Sequence, residues 1–247
     1  SAASDVYKRQ EESNEVRSGQ LILPKGFEHW LIKFDGVSNN RDKELADAQG
    51  FGLIEYAYYK MALDAGIHMN ECRILQEHNR HHFMTKRFDR TSGGNKLHMQ
   101  TLGALCHYDF NQPGAYSYEQ AMLAAQKLGL GMADIEQLYR RALFNIMSRN
   151  QDDHVKNIAF LMDSTGEWRL APAYHLTFAY NPTGEFPIRH QMSLNGKCDE
   201  FERSDFSALA ERFNIPRSRE KICLLYTSDA ADDSLRVDLG GRRIIKK

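Results

Sequence analysis

The sequence predicts an α+β chain in two parts, a small strand-rich portion followed by a mainly helical one with a small hairpin. Three observations predict it. Short apolar runs at 21–23, 29–34, 72–76 and 81–88 read as strands, and one stretch among them (Ile54, Ala57, Tyr58, Met61, Ala65) has the helical period. Beyond the turn-forming segment 91–96, two helical stretches are divided by Gly129 and Gly131. A polar cluster, RNQDDHVKN at 149–157, then leads into the apolar run 158–162 and a second strand at 168–170.

Composition excludes more than it selects. The chain has 247 residues, is 42% hydrophobic and 26% charged, and carries a net charge of -1. That supplies a core and gives no global basic signal for nucleic acid or an acidic membrane. No apolar run approaches the roughly 20 residues needed to span a bilayer, and there is no signal-peptide pattern. Cys72, Cys106, Cys198 and Cys223 have no metal spacing and read as free thiols of a reducing cytoplasm. Residues 1–10 and 223–247 resemble translated sequencing adaptors, so they are expected to be non-native tails around a natural segment at 11–222.

In chain order, 29–34 carries Lys33 within an apolar strand, where it either faces solvent or holds a cation over a bound phosphate. Glu55 lies one position off the apolar stripe of its helix. It is either solvated or paired with Lys33. His78, His81 and His82 read as surface histidines of a turn, because no fourth ligand sits at zinc spacing. Residues 97–107 are expected as a short helix and 111–116 as a loop. Ser117 and Gln120 form a capping box for a helix ending at Gly129. Asp134 is expected to cap the next helix, which runs to Ser148, and Ser204 the last one, 204–213.

The cluster carries the chemistry. A loop carboxylate, Asp152, can take a proton from a hydroxyl and aim it. Lys156 can neutralise a transferring phosphoryl group, and the amide oxygen of Asn157 can bind magnesium, a cation that prefers oxygen. Carboxylate, lysine and asparagine in this order, with five residues from Asp152 to Asn157, match protein-kinase catalytic loops. The segment 171–177, APAYHLT, follows the second strand, and a hairpin would bring it back beside the cluster.

Across 11–222 the chain resembles the C-terminal part of HipA-type serine/threonine kinases, the toxins of bacterial toxin–antitoxin pairs. The matching segments are HWLIKFDG (29–36), the Glu55 helix, KRFDR (86–90), HYDFNQPGAYSYEQ (107–120), DDHVKNIAFL (152–161) and APAYHLTFAYNPTGEF (171–186). The resemblance implies a truncated, bilobal, protein-kinase-like fold with an N-lobe at 11–90 and a C-lobe at 91–222. It implies ATP and Mg2+ as cofactors, a protein substrate phosphorylated on serine, and a HipB-type DNA-binding antitoxin as partner. It implies no direct nucleic-acid or membrane binding. By position, Lys33 matches the ATP-contacting lysine and Glu55 its acidic partner. Lys86, Arg87 and Phe88 match the adenine-contacting link between lobes. Asp152 matches the catalytic aspartate, His154 and Lys156 match active-site loop residues, and Asn157 matches a magnesium ligand.

One position departs from the family pattern. Where the family has a magnesium-binding aspartate in APAYDLT, this chain has His175. Imidazole offers nitrogen and no charge. A one-base reading error, an attenuated variant and a site for a softer metal are the competing readings, and severely reduced kinase activity is expected of the chain as written. The Gly-rich phosphate loop expected before residue 11 is a second absence. A catalytically degenerate kinase fold that binds only the antitoxin is therefore the alternative function. A metal hydrolase would need at least three of His78, His81, His82, His107, His154 and His175 to meet.

Overall fold

The computed structural model describes residues 3–9, 15–19, 25–36, 50–91, 94–180 and 189–220, with Cys223 and Thr227. The expected strand at 21–23, most of the polar segment 35–49, part of the turn 91–96, the loop 181–188 and nearly all of 223–247 lie outside the described residues. Two compact units divide the chain, Ser1–Tyr59 with Asn70–Leu97, and Lys60–Met69 with His98–Lys247.

The first unit is built on strands β1 (Ala3–Arg9), β2 (Val16–Ser18), β3 (Phe27–Lys33), β4 (Cys72–Glu77) and β5 (Arg80–Lys86). They form one antiparallel sheet in the order β2-β1-β3-β5-β4. Alternation along β3 puts Trp30 and Ile32 inward against Val6 and Met84, and all four are buried. Each such side chain contributes about 1.5–3 kcal/mol on leaving water. Part of the segment read as a non-native tail thus forms β1, an inner strand paired with β3 along its whole length. Helix α1 (Phe51–Asp64) starts against β5: a Cβ on Gly52 would stand 2.1 Å from the carbonyl oxygen of His81. His82, expected at the surface, is instead buried. Its Nδ1 accepts the Asp35 N–H at 2.9 Å, which leaves its Nε2–H for Glu77 at 3.2 Å.

The second unit contains β6 (His98–Thr101), α2 (Leu102–Cys106), β7 (Tyr116–Ser117), α3 (Tyr118–Lys127), α4 (Met132–Met147), β8 (Ala159–Met162), β9 (Trp168–Leu170), β10 (Met192–Ser193) and α5 (Arg203–Arg212). The core packs α3 and α4 against Leu102, Val155, Phe160 and α5. The capping box of Ser117 and Gln120 is present. The stretch 97–107 is not one helix. Its first half pairs with β8 as β6, and Thr101 then caps α2 by accepting the Ala104 N–H. Gly131, not Asp134, is the N-cap of α4, and the Asp134 N–H donates to the Gly131 carbonyl. Glu202, not Ser204, caps α5, because Glu202 and Asp205 exchange side chain-to-backbone hydrogen bonds.

Candidate active site

The predicted site residues fall in both units. In the first, β3 carries Lys33 at its end and α1 presents Glu55 one turn after Gly52. The Lys33 Nζ lies 2.5 Å from Glu55 Oε1, with both side chains mostly shielded from solvent. The pairing reading of these two residues therefore holds over the solvated one. The ring of Phe83 lies 5.8 Å from the same ammonium. At the end of β5, the Lys86 Nζ reaches Glu28 at 2.5 Å, and Arg87 and Arg90 both bond to Asp89. Lys86 is further tied by its N–H to the Glu71 carbonyl and by its carbonyl to Asn70, and the Arg87 N–H bonds to His29. Lys86 and Arg87 thus spend their charges and much of their backbone inside this unit. Burial raises the Asp89 carboxyl, but the bonds and charges of Arg87 and Arg90 outweigh it and hold it below the usual range.

In the second unit the cluster is a loop between α4 and β8, as its sequence implies. The Asn157 side chain closes it, with Nδ2 donating to the Asp152 carbonyl at 2.7 Å and its N–H to the His154 carbonyl at 2.8 Å. With Nδ2 so engaged, Oδ1 is the end of the amide left for a cation. The segment after β9 runs beside the loop, as expected. The Gln151 N–H donates to the Ala179 carbonyl, the Ala179 N–H to the Arg149 carbonyl, and the Tyr174 hydroxyl to the Lys156 carbonyl at 2.6 Å. Buried Arg141, whose guanidinium burial pushes down to about 10, anchors this arm by donating to the Ala171 carbonyl at 2.7 Å.

Two histidines flank the candidate base. The His154 Nε2 lies 3.6 Å from Asp152 Oδ1 and the His175 Nε2 lies 3.5 Å from Oδ2. Burial raises the Asp152 carboxyl. The hydrogen bond from His175 leads the effects that outweigh that and hold it below the usual carboxylate range. Burial pushes the His154 imidazole down by more than the Asp152 charge restores, so at neutral pH His154 is uncharged. The chief support of the Asp152 charge is therefore His175. That residue has a left-handed backbone, φ 54°, and its Nε2 is turned to a carboxylate.

Asp153 has the opposite surroundings. It is 2% exposed. Its Oδ2 takes the Tyr118 hydroxyl at 2.6 Å and contacts the His190 Nδ1 at 2.9 Å, and its Oδ1 takes the Gln191 N–H at 2.7 Å. Asn145 of α4 donates to the Tyr118 hydroxyl, and Asn150 donates to Asn145. This network, centred on Asp153, fixes the loop from beneath. Sequence reasoning left Asp153 without a role, since its partners lie 35 to 39 residues away. Adjacent carboxylates next to a helix end were the only signal.

Among the described residues, no three His, Cys, Asp or Glu side chains are grouped to hold a metal ion. The residues present do not fit magnesium well: Asn157 offers one oxygen, and position 175 offers an imidazole nitrogen already directed at Asp152.

A family model of the HipA-like C-terminal domain matches residues 7–233. The chain belongs to this family. Its fold is that of HipA-type proteins, α+β and kinase-like. The HipA chain of Shewanella oneidensis MR-1, from a toxin–antitoxin complex of HipA, HipB and operator DNA, is similar with a TM-score of 0.67 and 17% identity, over 87% of this chain and 57% of that one. The proinflammatory kinase CtkA of Helicobacter pylori is similar with a TM-score of 0.51 and 12% identity, over 83% of this chain and 86% of that one. No curated protein sequence matches the chain significantly. This HipA-type chain spans 57% of the S. oneidensis protein's length. No helix among its described residues is long and apolar enough to cross a membrane.

Proposed function

We propose that this HipA-type chain derives from an ATP- and Mg2+-dependent serine/threonine protein kinase whose phosphoryl transfer is attenuated by His175. One observation carries the reading: the ion pair between Lys33 on β3 and Glu55 on the following helix. Protein kinases require that lysine–glutamate pair to hold the nucleotide phosphates, and here two residues 22 apart in sequence make it. Lys33 would bind phosphate oxygens, with Glu55 orienting its ammonium. Asp152, ionised at neutral pH, would accept the proton of a seryl hydroxyl and aim the oxygen. Lys156 would offset negative charge on the transferring group. Lys86, Arg87 and Phe88 would border adenine. The reading extends to HipB-type antitoxin binding in a bacterial cytoplasm, which the family membership and the S. oneidensis complex support.

The metal arm limits activity, because His175 replaces an oxygen ligand by nitrogen and draws Asp152 into a hydrogen bond. Comparing the chain with its His175→Asp variant in radiolabelled ATP tests this. We expect autophosphorylation at least about tenfold faster in the variant, the effect of a charged contact worth about 1.5 kcal/mol or more. Equal rates would refute it.

His175 also favours a second reading, a degenerate kinase fold that serves only to bind the antitoxin. Its mark would be antitoxin binding by a chain that shows no metal-dependent ATP binding, even with aspartate at 175.

A further inference from the structure

Phe110 has no core task. It lies in the loop between α2 and β7 and is 39% exposed. Yet two residues of the candidate active-site loop gather on its ring. The Lys156 Nζ stands over the ring, 2.9 Å from its centroid. The His154 imidazole meets the same ring edge-on, with centroids 5.9 Å apart and planes at 61°. Attraction of an ammonium to an aromatic face is electrostatic and needs the π cloud, not merely an apolar surface.

The loop is built to hold that ring still. On one side of Phe110, the Asp109 N–H donates to the Tyr116 hydroxyl at 2.9 Å, and Tyr108 stacks on Tyr116 at 4.2 Å. On the other, Asn111 and Gln112 donate three hydrogen bonds to the Asp109 carboxylate. The Gly114 N–H bonds to the Gln191 carbonyl at 2.8 Å. The loop is also tied to the cluster through the backbone. Tyr108 N–H donates to the Gly103 carbonyl, and Gly103 N–H donates to the Val155 carbonyl, between His154 and Lys156. Gly103 permits this approach, since a Cβ there would come within 3.1 Å of the Val155 side chain.

We propose that Phe110 is a positioning residue, whose ring holds the Lys156 ammonium and the His154 imidazole in place over the active-site loop. A lysine side chain has about 2 kcal/mol of rotamer entropy to lose on being fixed. The ring supplies part of that ordering before any substrate binds. The proposal rests on the kinase reading only for what the held ammonium then does.

The test separates the two. In the unsubstituted chain, the ε-methylene protons of Lys156, assigned by their loss in Lys156→Arg, should resonate upfield of the other lysines under the ring current of Phe110. Phe110→Leu keeps an apolar side chain and should remove the shift, while Phe110→Tyr should keep it. In the His175→Asp background, Phe110→Leu should lower kcat by about two- to fivefold, the effect of one exposed cation–π contact, and Phe110→Tyr should restore it. KM for ATP should not change. An unshifted Lys156 resonance overturns the proposal whatever the activity. So does an unchanged kcat in Phe110→Leu, or a loss that Phe110→Tyr fails to restore. A shifted resonance without any phosphoryl transfer in the His175→Asp protein supports the positioning contact and counts against the kinase reading alone.

Discussion

The first and second halves of the chain hold their candidate residues in opposite ways. In the first unit, the Lys33 charge is oriented by one ion pair between a strand end and a helix. In the second, Asp152 stands on a loop whose underside is fixed by a buried network through Asp153, Tyr118, Asn145 and His190. Removing one member of a lone pair leaves one partner uncompensated. Removing a buried, fully hydrogen-bonded carboxylate leaves several. Stability losses should therefore be smaller in the first half than at Asp153, and function and stability should separate between the neighbours Asp152 and Asp153.

The largest expected effect is at Asp153. Asp153→Ala should cost about 3–5 kcal/mol of unfolding free energy in a denaturant titration, as for other broken buried pairs, whereas Asp152→Ala should cost under about 1 kcal/mol. Similar losses for the two would erase the contrast. Next comes the first half. Lys33→Met should weaken ATP binding by about tenfold in calorimetry, the worth of one charged hydrogen bond. Glu55→Gln should weaken it by less, with unfolding free energy falling by about 1–2 kcal/mol, below the loss at Asp153. A large loss of stability in either variant would show that the pair is structural.

The smallest effect sits in the first turn of α5. The Asp205 carboxyl is held down to about 2 by the side chain of Asn195, then by the Glu202 N–H and Lys197. A lowered carboxyl stabilises the fold above its unfolded value of about 4 and loses that contribution as pH falls toward 2. Acid unfolding of Asp205→Asn should therefore begin from a lower stability at neutral pH and show a shallower decline between about pH 4 and pH 2. A parallel decline in the two proteins would mean that Asp205 contributes nothing there.

What could be read from the sequence follows the range of the interactions. Strands β3, β4, β5, β8 and β9 and helices α1, α3 and α4 declare themselves by local period, and Ser117 with Gln120 writes its own cap. The loop position of Asp152 to Asn157 follows from its flanks. The errors arise where a distant partner decides. Residues 98–101 are a strand only because 159–162 lie beside them. Gly131 and Asp134 are both credible caps, and backbone geometry chose the glycine. His82 is buried because Asp35, far away in sequence, uses its ring nitrogen. The Lys33–Glu55 pair was one of two open readings on spacing and was singled out by family resemblance. The Asp153 network had only its adjacent carboxylates as a local signal, and the ring of Phe110 had none.

Gly52 shows how far a missing atom can reach. With no side chain, it lets the first turn of α1 rest on the backbone of β5. That seating sets the height at which Glu55, three positions on, meets Lys33. The first methyl group that any other residue would bring has nowhere to go but into a carbonyl oxygen. Any other residue at position 52 must therefore push α1 and β5 apart, and the Glu55 carboxylate moves with α1.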